Sequence, residues 1–292
     1  MHEKPSPVND EIDVTKILKY FRIMPTTAVQ GVRLAIAVTG LAAGPTATLA
    51  QMTAFRFDSS RVPVGQVFHY LKSNRDGSHA SRVSVYIAAV DRIESYKWDS
   101  GGKTATLVVA TMDWTRFSPA RLEAFGVTSG KPDQPRARLE VRDGAFRISF
   151  LPDTTVAIGL WPWHSYDFDL ASLSLAFPFL VDPRGRFTFR RFDVPPNATG
   201  PTFRNFGEVS VVYERPEPRL GANTNRYAIG GPGLNGTNGT LWIDARRGHL
   251  VEFEIPIPDE AGMRDGRLRL QAVAAMTAPQ WEGFKRRGVG EP

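Results

Sequence analysis

The segment Leu160-Trp161-Pro162-Trp163-His164-Ser165-Tyr166-Asp167-Phe168-Asp169 gathers two indoles, a phenol, an imidazole and two carboxylates. Side chains of these types support two chemistries. Trp161, Trp163 and Tyr166, with His164 beside them, could form a stacking platform for a sugar or a lipid head group, since such rings cover apolar surface and keep a polar edge. His164 with Asp167 or Asp169 could move a proton in a hydrolytic step, for instance on an envelope glycan or ester. The same residues also suit a plug: the aromatics close one end of a sheet, Asp169 caps a short helix, and His164 bonds locally.

Other chemistries are excluded or unsupported. The chain has no cysteine, which removes disulfides, thiolate catalysis and cysteine-ligated metal or iron–sulfur sites. The five histidines, at 2, 69, 79, 164 and 249, never stand two or four residues apart, so the spacing of a metal site is missing and no metal is expected. Gly231-Pro-Gly-Leu-Asn-Gly236 matches the dinucleotide-binding glycine pattern, but Thr240-Leu-Trp-Ile-Asp244 after it reads as a strand where that fingerprint needs a helix. No cofactor is expected. Asn74-Arg-Asp-Gly77 looks like part of a calcium loop, yet Lys72 stands where the first carboxylate belongs and both flanks read as strands, so it is read as a turn.

The elements that must position these residues repeat with a period of two. Arg136–Arg142 alternates, with Ala137, Leu139 and Val141 on one face. Asp143-Gly144 follows, and Phe146, Ile148 and Phe150 then share a face, which together make a hairpin signal. Val83, Val85 and Ile87 repeat the pattern, as do Val209, Val211 and Tyr213, and Leu268 with Leu270. Further strands are expected at 66–72, 93–98, 104–113, 187–192, 226–229, 240–244 and 249–255. One-sided alternation predicts an antiparallel sheet with one packed and one solvated face. The solvated face carries arginines interspersed with acids, so the net charge of +6 calls for no nucleic-acid partner. Three short helical stretches are expected: Pro119–Phe125 after Ser118, Asp169–Phe177 stopped by Pro178, and a C-terminal turn over Ala278–Arg286.

The N-terminus reads as a targeting segment. After Arg33 a charge-free run extends from Leu34 to Phe55, with an apolar stretch at 34–43, a Gly44-Pro45 breaker and small residues up to Ala50. That layout is a secretory signal cleaved near Ala50, with Met24 as an alternative start to Met1. Gly40, Gly44, Pro45 and the threonines argue against a spanning helix, and no integral membrane span is expected in the mature chain. Removing residues 1–50 takes five basic and four acidic groups, so 31 basic and 26 acidic ones remain. The expected location is therefore periplasmic or extracellular. Residues 51–292 are read as one β-rich domain, its strand groups at about 54–150 and 187–275 joined by the aromatic, proline-containing connection.

Three further runs carry a resemblance: Gly65-Gln-Val-Phe-His-Tyr70 with Ser73-Asn-Arg-Asp-Gly77, Pro162–Asp169, and Arg226-Tyr-Ala-Ile-Gly-Gly-Pro-Gly-Leu234 leading into Gly239-Thr-Leu-Trp242. Residues 54–285 resemble exported bacterial β-rich proteins of unknown function, and the last run is similar to the strand–turn–strand of periplasmic lipoprotein-localisation carriers. That resemblance implies a half-barrel whose curved sheet wraps a helix and holds acyl chains on its concave face. The expected fold is thus mainly β, a single antiparallel, strongly curved sheet (half-barrel or sandwich) with few short helices. The expected function is non-enzymatic binding of an apolar or amphiphilic ligand (a lipid, lipoprotein or glycan), with hydrolysis through His164 and Asp167 or Asp169 as the alternative.

Overall fold

The computed structural model describes residues 54–98, 102–143, 145–149, 154–157, 162–194, 203–258, 260 and 262–290. The expected signal segment at 1–50, Gly144 of the Asp-Gly turn, Phe150 and Trp161 lie outside them. The first strand group comprises β1 (Gln66–Ser73), β2 (Ser81–Ala89), β3 (Arg92–Trp98), β4 (Thr104–Asp113), β5 (Ser118–Thr128), β6 (Gln134–Arg142), β7 (Ala145–Ser149) and β8 (Thr154–Ala157). A short β9 (Trp163–His164) and helix α1 (Ala171–Ala176) lie in the connection. The second group is β10 (Arg186–Asp193), β11 (Arg204–Pro216), β12 (Thr224–Gly230), β13 (Asn238–Asp244), β14 (Leu250–Ile255) and β15 (Gly266–Ala275), followed by helix α2 (Ala278–Gly288).

All fifteen strands belong to one sheet, in the order β8 down to β1, then β15 down to β9. Each group is an antiparallel meander, and the two are joined where β1 pairs with β15, from Gln66↔Ala275 to Ser73↔Arg267. The sheet curls without closing. Its two far ends approach across the interior, where Phe146 of β7 meets Phe192 of β10 at 4.9 Å and Phe203 at 5.0 Å.

The period-two pattern explains the inner face. Val83, Val85 and Ile87 of β2, Leu139 of β6, Phe146 of β7, Val209 and Val211 of β11 and Leu268 of β15 all lie in one buried core. The expected 136–149 hairpin forms, with Val141 opposite Phe146 and Arg142 opposite Ala145, and Asp143 adopts a positive φ of 52° in the turn.

Three expectations are corrected. Pro119–Phe125 belongs to strand β5, not to a helix. Ser118 is no N-cap: its Oγ donates to the Arg116 carbonyl and accepts from the Trp163 N–H at 2.8 Å. Pro119 sits near the strand's start beside a register shift, where a missing N–H is tolerated. Leu122 and Ala124 then point inward, while Glu123 faces Arg121 and Arg138. The short helix of the connection begins at Ala171, and Pro178 lies within a 3-10 turn, Phe177–Phe179, that continues it.

The sheet's other face is not solvated throughout. Over β1–β5, Val67, Tyr86, Tyr96, Leu107, Val109 and Val127 form a second buried cluster with Trp281 and Val289. Helix α2 covers them. It starts with a capping box between Thr277 and Gln280 and ends on Lys285, Arg286 and Arg287, which complement its C-terminal dipole. Where the outer face is open, around β12–β15, arginines do pair with acids: Arg219 and Arg267 both reach Glu252, at 2.6 and 2.7 Å.

Candidate functional site

The connection between the two meanders folds into the interior. Asp193 on β10 organises its first turn: its Oδ1 accepts from the Ser165 hydroxyl at 2.5 Å and the Asp167 N–H at 3.1 Å, while Arg191 pairs with its other oxygen. Asp169 and Leu170 then both take φ of 52°, a left-handed conformation that costs energy away from glycine. This turns Asp169 inward, where it bonds Lys72 of β1 and Lys97 of β3, each at 2.8 Å. Glu260 approaches Lys72 at 2.6 Å, so two buried cations are balanced by two acids. Leu170, not Asp169, is the N-cap of α1, and no side chain caps that helix.

Of the expected site residues, the structure places Trp163, His164, Tyr166 and Asp169 in the core rather than on a surface platform, and Asp167 is half-buried. Trp163 has no exposed surface and lies edge-on to Phe146 at 4.8 Å. Tyr166 is equally buried, and its hydroxyl donates to the Ile257 carbonyl at 3.1 Å. His164 is fully buried beside Phe189; its Nδ1 lies 2.9 Å from Ser172 Oγ and its Nε2 has no partner. Burial pushes its pKa down to about 3, which keeps the imidazole neutral. The proton-shuttle reading needs His164 on a carboxylate at an open cleft. Instead Asp169 is committed to two lysines, and the Asp167 carbonyl accepts from Lys97 at 2.7 Å. Asp169 is therefore not available to His164 as a proton partner.

What the structure does open is a cavity of about 310 Å³ beneath β1, β2, β14 and β15 and beside α1. Phe68, Tyr70, Val85, Ile87, Leu250 and Leu268 supply much of its apolar wall. From α1 it meets Ala171, Ser174 and Leu175, two of them small. Asp169 is part of the wall, whereas Trp163, His164 and Tyr166 are not. Arg61, Arg246 and Arg247 also line it and are exposed, so its polar side faces solvent. The tyrosine hydroxyl in the wall is already used, since Tyr70 donates to the Leu250 carbonyl at 3.0 Å.

The alternation of Val85, Ile87 and Leu268 places them on the packed face but does not show that they enclose a space. Lys72 and Lys97 are the buried partners of Asp169 that sequence reasoning misses. A usable signal is present: Lys72 is in phase with Phe68 and Tyr70, and Lys97 with Ile93 and Ser95, so each lysine falls on the inward set of its strand. The glycine-rich run at 231–236 forms a 3-10 turn, Pro232–Leu234, ahead of β13. Glycine is required at 233, where a Cβ would meet Val209 Cγ2 at 2.5 Å and the Gly207 carbonyl at 2.8 Å. That is close packing against β11, not a phosphate cradle.

These features describe a curled antiparallel sheet enclosing one end of a helical connection and a cavity. No family model and no curated protein matches the sequence. Among solved structures, the chain is similar to a β-barrel-like protein of the domain of unknown function DUF1849 from Brucella abortus, with a TM-score of 0.43 and 11% identity over 73% of this chain and 98% of that one. It is also similar to a putative outer membrane lipoprotein-sorting protein domain from Vibrio parahaemolyticus, with a TM-score of 0.20 and 8% identity over 79% of this chain and 94% of that one. Among the described residues no helix is long and apolar enough to cross a membrane, and no cluster of histidine and acidic side chains could hold a metal ion.

Proposed function

We propose that this protein is a non-enzymatic carrier or receptor that binds an apolar or amphiphilic ligand inside the curled sheet, and that it acts after export. The single supporting observation is the cavity. It measures about 310 Å³ and opens to solvent past Arg61, Arg246 and Arg247, so a ligand can enter it from outside. Water is a poor occupant of its apolar part, because each ordered water needs two to four polar partners and the wall there is Phe68, Val85, Ile87, Leu250 and Leu268. An apolar group recovers the lost contacts without needing any.

The test uses the neutral fluorescent probe N-phenyl-1-naphthylamine on the full chain, compared with Val85→Phe, which places a ring in the cavity. Saturable binding is expected for the native protein, and a loss of at least about tenfold in affinity for the variant, with thermal melting unchanged. Equal affinity in both proteins would overturn the reading, as would absence of binding to the native chain. Extraction and mass spectrometry of protein purified from its source organism should release a bound amphiphile. Export is tested separately, by sequencing the mature N-terminus, which should begin near Gln51; an intact N-terminus on protein recovered from the cytoplasm would refute it.

A further inference from the structure

If the cavity is the binding site, its rim carries information about the ligand's polar end, and the inference rests on that reading. Three guanidinium groups come to this mouth from two remote stretches of sequence. Arg61 ends the 3-10 turn Ser59–Arg61 ahead of β1, while Arg246 and Arg247 form the turn between β13 and β14. No ion pair joins any of the three to a described carboxylate. The nearby acids are engaged mainly with backbone and hydroxyl groups, and Asp58 also feels the charge of Arg61. Asp244 accepts the backbone N–H groups of Arg246 and Arg247, at 3.0 and 2.6 Å, and so shapes the turn. Asp58 accepts from the Ser60 N–H and hydroxyl, at 3.0 and 2.7 Å. In the wall, Asp169 is held by Lys72 and Lys97.

Beside the rim arginines stands His249, its ring 5.1 Å from that of Phe68 and its buried Nδ1 without a hydrogen-bond partner. The mouth therefore presents three cations above an apolar wall. Charge of one sign at the edge of a low-dielectric hollow selects the opposite sign, and a guanidinium fork matches a carboxylate or phosphate. Volume restricts the tail. At about 30 Å³ per water-sized unit, about 310 Å³ holds on the order of ten heavy atoms, which suits one medium-length chain.

We infer that the cavity is a site for a single-chain amphiphile with an acidic head, the chain lying against Phe68, Val85, Ile87 and Leu268 and the head held by Arg61, Arg246 and Arg247. Decanoate and decyl phosphate share this chemistry and differ in head geometry. Decanol and decyltrimethylammonium carry the same chain without the acid.

The experiment is displacement of N-phenyl-1-naphthylamine from the full chain by each of the four probes, at low and at raised salt. The acids should bind about tenfold or more tightly than decanol, decyltrimethylammonium should bind weakest, and the preference should shrink with salt. In Arg246→Ala/Arg247→Ala, and in Arg61→Ala, the acids should lose affinity while decanol keeps it. A stronger loss for decyl phosphate than for decanoate, or the reverse, identifies which acid the forks fit. If decanol matches the acids while Val85→Phe abolishes both, the acid head is refuted and the cavity stands as an apolar site. If none of the four displaces the reporter, the head-group inference and the cavity reading fall together.

Discussion

Strands β1–β3 are covered on both faces, and the two covers differ. Outside, helix α2 lays Trp281 flat against Tyr86, at 5.0 Å between rings, and anchors it through Nε1 to Glu94 at 2.7 Å. The Tyr96 hydroxyl reaches the Lys285 carbonyl at 2.7 Å, and Lys285 lies 3.3 Å from Glu94. Inside, α1 is only six residues long, and the positions it turns to β1 and β2 include Ala171 and Ser174. The inner face therefore keeps a hollow where the outer face is filled. Both strand faces carry buried apolar side chains, and the size of the side chains on the covering helix helps decide whether a face is packed or hollow.

The largest effect expected on this comparison comes from emptying the outer face. Trp281→Ala should cost about 3–5 kcal/mol, because it creates a void and leaves Glu94 without its indole donor. Trp281→Phe should recover the packing and lose only the hydrogen bond, about 1–3 kcal/mol. Urea titrations of the two variants measure the split. A loss under about 1 kcal/mol for Trp281→Ala would mean that α2 is not a required cover, and the contrast between the faces would collapse.

The inner face was largely legible in the sequence because its strands keep period two: Val83, Val85 and Ile87 alternate with polar neighbours for most of their length. The outer seat was harder to see. Leu107-Val108-Val109-Ala110 is a continuous apolar run, the pattern of a strand covered on both sides, but nothing local announces that α2 is the cover. Strand β5 was hidden by Ser118-Pro119, a start signal for helices that tertiary pairing with β4 and β6 overrides. For the candidate site, residue types in 160–169 were readable and their partners were not. Asp169 meets Lys72 and Lys97 only after the strands have paired. The rim arginines meet only once the turn between β13 and β14 and the segment before β1 are brought together by the fold, a long-range fact that spacing does not carry.

The buried histidines and the Glu94 carboxylate should answer to different ranges of pH. On the inner side, burial holds His164 neutral, with its pKa pushed down to about 3. Above about pH 6.5 the imidazole is neutral in both folded and unfolded chains. As pH falls below that, only the unfolded chain takes up the proton, so stability drops by up to about 1.4 kcal/mol per pH unit until the folded imidazole also titrates. His249 is pushed down by burial too and adds to this slope, and His69, which lies against Phe284 of α2 on the outer face, adds the same slope from that side. On the outer side, burial raises the Glu94 carboxyl, but Lys285 and the Trp281 N–H outweigh it and hold it below the ordinary range. Its contribution is complete above the carboxylate range and is lost only as pH falls through its lowered pKa. Between about pH 6.5 and 5 the decline should therefore come from the histidines. His164→Asn, which can keep the Ser172 bond, should flatten it by about one proton, read as the pH slope of the urea-derived stability. An unchanged slope would show that His164 is not the neutral core group its burial makes it.

The smallest effect is the most direct probe of the contrast, because it applies one methylene to each face. Val67 and Val85 lie on neighbouring strands near one another, Val67 opposite Tyr86 and Val85 opposite Phe68. Val67 is buried in the outer cluster under α2, and Val85 lines the cavity. Val67→Ile must push against a filled seat and should cost about 1–3 kcal/mol, the usual penalty of overpacking. Val85→Ile extends into open space and should be neutral or stabilising by up to about 1 kcal/mol, since it buries an added methylene without displacing a neighbour. Ligand affinity should move the other way, falling for Val85→Ile and holding for Val67→Ile. Equal costs at the two positions would mean that the inner face is packed as tightly as the outer one, and the cavity would lose its standing as a binding site.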